Sequence, residues 1–95
     1  MRTPKLTDDE LQKALTELDG WSLDEGMLKK TFAFTDFIGS VQFVTGLAFK
    51  AEIAEHHPDL DIRYNKVLVG LVTHDSGGIT EKDVALAKEA DALAG

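Results

Sequence analysis

Apolar residues at three- and four-residue spacing open the pattern of this chain. Leu11, Leu15 and Leu18 fall on one stripe behind Thr7-Asp8-Asp9-Glu10. Thr7 there suits an N-cap and Glu10 the N3 partner of a capping box, so a helix is predicted. Asp19-Gly20 ends it. Residues 1–6 before it read as a short flexible lead. The period then changes to two. Trp21-Ser22-Leu23 reads as a strand, Asp24-Glu25-Gly26 as a turn, and Met27 to Phe34 as a second strand. Within that strand Leu28, Thr31, Phe32 and Phe34 do not alternate cleanly, which predicts a bulge or a shifted register.

Thr35-Asp36 starts a long helix predicted to run to about His56. Its apolar positions include Phe37, Ile38, Val41, Phe43, Val44, Leu47, Phe49 and Ile53, more than one stripe. A helix apolar on most sides is buried on most sides. One small sheet cannot cover it, so its outer face is expected to pack on another subunit. Asp61 to Tyr64 and Val67 to Thr73 read as strands joined across Asn65-Lys66. Asp75-Ser76-Gly77-Gly78 is a loop, and Thr80 caps a last helix to about Leu93 with Asp83 at N3. The order α-β-β-α-β-β-α predicts an α+β fold, a two-layer sandwich with helices on one face of an antiparallel sheet.

Ninety-five residues suit a single domain spanning 1–95. A core this small gains from oligomer formation. With no cysteine there is no disulfide framework, thiolate metal site or cysteine nucleophile. No uninterrupted apolar run approaches the ~20 residues of a membrane span. Met1 to Lys5 lack a signal-peptide core, and a cytoplasmic setting is expected. A net charge of −7 and a pI of about 4.7 would repel a phosphate backbone, so no nucleic-acid partner is expected.

The chemistry concentrates in the middle and later parts of the chain. All three histidines lie there, with Glu52, His56-His57-Pro58, Tyr64, His74 and Asp83 forming the candidate cluster. Glu52 and His56 are four apart, so on a helix they share a face and can pair. Proline disfavours helical geometry at His57, so the two adjacent histidines should point apart. His74 ends a strand, and the hairpin can return it to the same cleft. Two histidines flanking a small molecule can give and take protons. Plainer readings stand beside this one: a helix-terminal His56, a turn-filling His57, a capping Asp83, and a core Tyr64 with its hydroxyl at the edge. A metal held by Glu52, His56 and His74 is a further alternative, although the two-histidine helical zinc motif is absent. There is no phosphate-binding glycine loop or nucleophile elbow.

The spacing Glu52-x3-His56-His57-Pro58-x5-Tyr64-x9-His74-x8-Asp83 resembles the signature of the pterin-4a-carbinolamine dehydratases. Trp21, Tyr64-Asn65-Lys66-Val67, Thr73-His74 and Thr80-Glu81-Lys82-Asp83 agree as flanks. The resemblance implies a four-stranded antiparallel sheet with three helices on one face, in homodimers or homotetramers. It implies loss of water from a 4a-hydroxytetrahydropterin to give a quinonoid dihydropterin, in support of aromatic amino-acid hydroxylation. It implies no metal and no redox cofactor. By the same resemblance His56 and His74 are the acid/base pair, and His57 acts in catalysis and in orienting the pterin. Glu52, Pro58 and Asp83 would complete the substrate site, with Asp83 orienting His74 or its loop. Leu60 stands where relatives often carry an aromatic residue, so one pocket wall would be aliphatic. The alternative is a non-catalytic pterin-binding or protein-assembly module on the same fold. The transcription-factor partnership of vertebrate members is not expected here.

Overall fold

The computed structural model describes residues 3–95. Met1 and Arg2, the start of the expected flexible lead, lie outside the described residues. The elements are α1 (Asp8–Glu17), β1 (Ser22–Asp24), β2 (Met27–Ala33), α2 (Phe37–Ala54), β3 (Asp59–Arg63), β4 (Lys66–Leu71) and α3 (Glu81–Ala94), with a 3-10 turn at His74–Ser76. The strands form one antiparallel sheet in the order β1-β2-β4-β3. This is the predicted α+β sandwich, with the helices on one face.

Local chemistry sets each boundary. Both predicted capping boxes form, Thr7 with Glu10 and Thr80 with Asp83. Asp36 caps α2 by accepting the Gly39 N–H at 2.8 Å. Glu25 and Gly26 both take positive φ, 54° and 76°, in the two-residue loop between β1 and β2. Such loops match the twist of the flanking strands.

The core lies between sheet and helices. Leu28 and Phe32 of β2 and Val67, Val69 and Leu71 of β4 face Phe43, Leu47 and Ala51 of α2 and Leu86, Ala87 and Ala90 of α3. Burying each large side chain contributes roughly 1.5–3 kcal/mol. The bulge expected in β2 does not occur: Leu28 to Ala33 pair with Leu71 to Lys66 in unbroken register. Lys30 hides the alternation in the sequence. It occupies an inward position between Leu28 and Phe32, and its ammonium reaches Asp91 at 2.8 Å and the Asp19 carbonyl at 2.9 Å. Its apolar stem does the packing while its charge stays at the rim.

The second hairpin is shifted from the prediction. Arg63 pairs with Lys66, so Tyr64-Asn65 is the loop and β3 starts at Asp59. Asn65 is drawn off the strand by a reciprocal contact: its side-chain amide donates to the Phe34 carbonyl at 2.9 Å, and its carbonyl accepts the Phe34 N–H at 2.8 Å. The lead is tied at two points. Leu6 N–H donates to the Ile79 carbonyl at 2.8 Å, and the Ser76 hydroxyl donates to the Thr3 carbonyl.

α2 is 18 residues long with a mean hydropathy of 1.2, enough by length and composition for a membrane span. Ser40, Phe43, Leu47 and Ala51 on its inner stripe belong to the interior of this fold. Its opposite stripe is exposed, with Ile38 at 65%, Phe49 at 68% and Ile53 at 81%.

Candidate active site at the ends of α2, β4 and α3

The site begins where α2 stops. Glu55 turns left-handed at φ 52°, and its N–H returns to the Glu52 carbonyl at 3.2 Å. The His56 N–H reaches back to the Ala51 carbonyl at 3.1 Å. This closure satisfies the last helical carbonyls and swings the chain off the helix axis. The helix therefore ends at Ala54, two residues short of the predicted end. His56 turns inward and is buried, whereas His57 stays exposed and Pro58 is half-buried. The two histidines do point apart, as the proline implied.

Their partners are not those helical spacing predicts. Glu52 pairs with His57 on the surface. His56 pairs with Asp83, Nε2 to Oδ1 at 2.6 Å, in the interior. The left-handed Glu55 breaks the four-residue period just before His56, so Glu52 and His56 no longer share a face.

Asp83 is wholly buried at the start of α3. Its Oδ2 accepts the Thr73 hydroxyl at 2.8 Å and the Thr80 N–H at 2.8 Å. The expected cap and the expected site residue are thus the same carboxylate, one oxygen for each duty. A carboxylate only accepts hydrogen bonds, so Nε2 of His56 is the donor. Nδ1 of His56 makes no hydrogen bond among the described residues, and no buried side-chain nitrogen or oxygen there lacks a partner. Nδ1 therefore reaches the surface and can exchange a proton with a bound molecule.

His74 follows Thr73 directly. It opens the 3-10 turn and does not end a strand, because β4 stops at Leu71. Thr73 bridges Gly78, Gly77 closes the turn at φ 76°, and the His74 side chain is exposed. Asp83 thus joins the segment carrying His56 and His57 to the segment carrying His74. It bonds Thr73 and not His74 itself. Sequence reasoning missed Thr73 as a site member and took Thr80 only as a cap. The capping box pointed to Asp83 but not to Thr73, whose hydroxyl shares the capping oxygen Oδ2 with the Thr80 N–H.

Tyr64 is not part of this cluster. It sits in the β3–β4 loop with φ 52° and an exposed ring, and its carbonyl accepts the Ser40 hydroxyl at 2.7 Å. Ser40 lies near the start of α2, and the histidines lie beyond its end. That is roughly 20 Å away at ~1.5 Å per residue. The ligands of the metal alternative separate too. Glu52 and His56 turn to different partners, and no group of three potential ligands gathers among the described residues.

The arrangement is a small α+β sandwich that carries its three histidines on two segments joined by one buried carboxylate. The family profile "Pterin 4 alpha carbinolamine dehydratase" matches residues 4–93. A protein of Chloroflexus aurantiacus, provisionally named a pterin-4-alpha-carbinolamine dehydratase, is 47% identical over 97% of this chain and 99% of its own length. A provisionally named relative from Sulfurisphaera tokodaii is 48% identical over 94% and 96%. A solved structure described as a transcriptional coactivator/pterin dehydratase from Brucella melitensis superposes with a TM-score of 0.93. It is 38% identical and covers 96% of this chain and 99% of its own. The chain belongs to the pterin-4-alpha-carbinolamine dehydratase family.

Proposed function

We propose that this protein is a 4a-hydroxytetrahydropterin dehydratase. The observation that carries the reading is the buried Asp83, which links His56 to the turn bearing His74 in a chain of this family. In the reaction a proton reaches the 4a-hydroxyl, the C4a–O bond breaks and water leaves. The N5–H proton is removed, and the nitrogen electrons form the C4a–N5 double bond. His56 Nδ1 and the exposed His74 ring are suited to the two proton transfers. Such transfers contribute about 10²- to 10⁴-fold each. Exposed His57, steadied by Glu52, orients the pterin and takes part in catalysis, and Pro58 fixes its backbone. Asp83 acts on the pterin site through His56. No metal or redox cofactor is needed for this elimination. The product feeds tetrahydropterin recycling for aromatic amino-acid hydroxylation in the cytoplasm. The exposed stripe of α2 supports a homodimer or homotetramer.

The test follows dehydration of freshly made 4a-hydroxytetrahydropterin by ultraviolet absorbance. His56→Ala and His74→Ala are each expected to lower the rate at least ~10-fold, the low side of acid/base contributions. Unchanged rates in both variants would remove the mechanism.

A second reading is a non-catalytic assembly module. It is favoured by a solved structure described as a pterin dehydratase-like RuBisCO assembly factor of the alpha-carboxysome. That chain is 30% identical, with a TM-score of 0.65, and covers 79% of this chain and 87% of its own. Pterin binding without any dehydration by the wild type would favour this reading over the enzyme.

A further inference from the structure

We propose that Thr73 is a positioning residue that holds the Asp83 carboxylate against His56 Nε2 and, through its backbone, holds the turn of His74. The hydrogen-bond order around it admits one solution. The Thr80 hydroxyl accepts the Lys82 N–H at 3.2 Å and lies 2.8 Å from the Thr73 hydroxyl. The Thr73 hydroxyl donates to Asp83 Oδ2, because a carboxylate cannot donate. Thr73 has one hydrogen to give, so Thr80 must be the donor between the two hydroxyls. The chain therefore runs from Thr80 to Thr73 to Asp83, and the other carboxylate oxygen takes the proton on His56 Nε2.

Thr80 and Asp83 are fully buried, and Thr73 is 8% exposed. Water cannot readily replace a lost member, so the order is held by the protein alone. The backbone of Thr73 is equally committed. Its N–H donates to the Gly78 carbonyl at 3.0 Å, and its carbonyl accepts from Ser76 at 3.0 Å and Gly78 at 3.3 Å. One residue thus fixes the acceptor behind His56 and the frame beneath His74.

The catalytic consequence rests on the dehydratase reading, whereas the tautomer does not. Two measurements keep them apart. Nitrogen-15 NMR of the imidazoles at alkaline pH, where histidine is neutral, should show His56 of the wild type protonated on Nε2. Thr73→Val keeps the shape but removes the donor, which loosens the Asp83 carboxylate, and should move the His56 Nε2–H proton resonance from its wild-type position. Thr73→Ser should restore it. With 4a-hydroxytetrahydropterin as substrate, Thr73→Val should lower kcat by ~10-fold, within the range of one acid/base contribution, with KM little changed. Thr73→Ser should recover most of it. A wild-type His56 protonated on Nδ1 would overturn the proposal even if Thr73→Val failed to fold. So would a folded Thr73→Val with the wild-type His56 Nε2–H resonance. A wild type that shows the expected tautomer but no dehydration would sink the enzymatic reading and leave the positioning role standing.

Discussion

Glu52 and Asp83 each hold a histidine, yet their surroundings differ in kind. The Glu52 and His57 side chains are 74% and 63% exposed, whereas Asp83 is fully enclosed and His56 nearly so. An exposed pair contributes little because water competes for both partners. Removing one member of a buried pair leaves the other without compensation. Asp83→Ala is therefore expected to cost about 3–5 kcal/mol of stability, and Glu52→Ala less than about 1 kcal/mol. Urea unfolding followed by the fluorescence of Trp21 checks both, and equal losses would contradict the assigned environments. The divergence of His56 and His57 was legible because proline acts on the residue before it. Their partners were not, because pairing four residues apart assumes an unbroken helix. Glu55 breaks it in a left-handed conformation that glycine ordinarily signals and glutamate does not.

At the scale of elements that same residue carries a prediction. A left-handed conformation costs a side-chain-bearing residue roughly 1–2 kcal/mol, and Glu55 at φ 52° accepts that cost at the end of α2. Glycine removes it but loses more freedom on folding. Glu55→Gly should therefore stabilise the protein by about 0.5–1 kcal/mol, which raises Tm by a few degrees in a domain of this size. A thermal scan by circular dichroism checks it, and a lowered Tm would show that Glu55 holds the helix end by another contact. The three-way tie at the far end of α3 carries a second. The indole of Trp21 donates to both oxygens of Asp91 at 3.1 Å, and Lys30 donates to the same carboxylate at 2.8 Å. Asp91→Ala strips both donors, and should cost about 1–2 kcal/mol in this half-exposed setting, read from the urea midpoint. Capping boxes made α1 and α3 legible. The β2 register and the second hairpin were obscured because Lys30 and Asn65 act through long-range partners, Asp91 and Phe34.

The whole molecule leaves one apolar surface unanswered. Ile38, Val41, Phe49 and Ile53 run along α2 at helical spacing, opposite the stripe of Ser40, Phe43, Leu47 and Ala51 that meets the core. The breadth of apolar residues in α2 was legible in the sequence, but the division into an inner and an outer stripe depended on where the sheet lies. Each large side chain on the outer stripe would gain on the order of 1.5–3 kcal/mol if fully covered. Four such residues on one side of a helix present a face that two-fold pairing with a second copy can bury. The net charge of −7 opposes association only at long range and is screened by salt. Ile53, at 81% exposed, is the most sensitive probe because it contributes least to the subunit's own core. Light scattering at micromolar concentration should find the wild type above the mass of one 10.4 kDa chain. Ile53→Lys should shift it towards that mass while the circular dichroism of the fold is retained, because a charge within a covered stripe must be desolvated without a partner. A wild type that scatters as a single chain would remove the proposed interface, and an oligomer indifferent to Ile53→Lys would move it to another face.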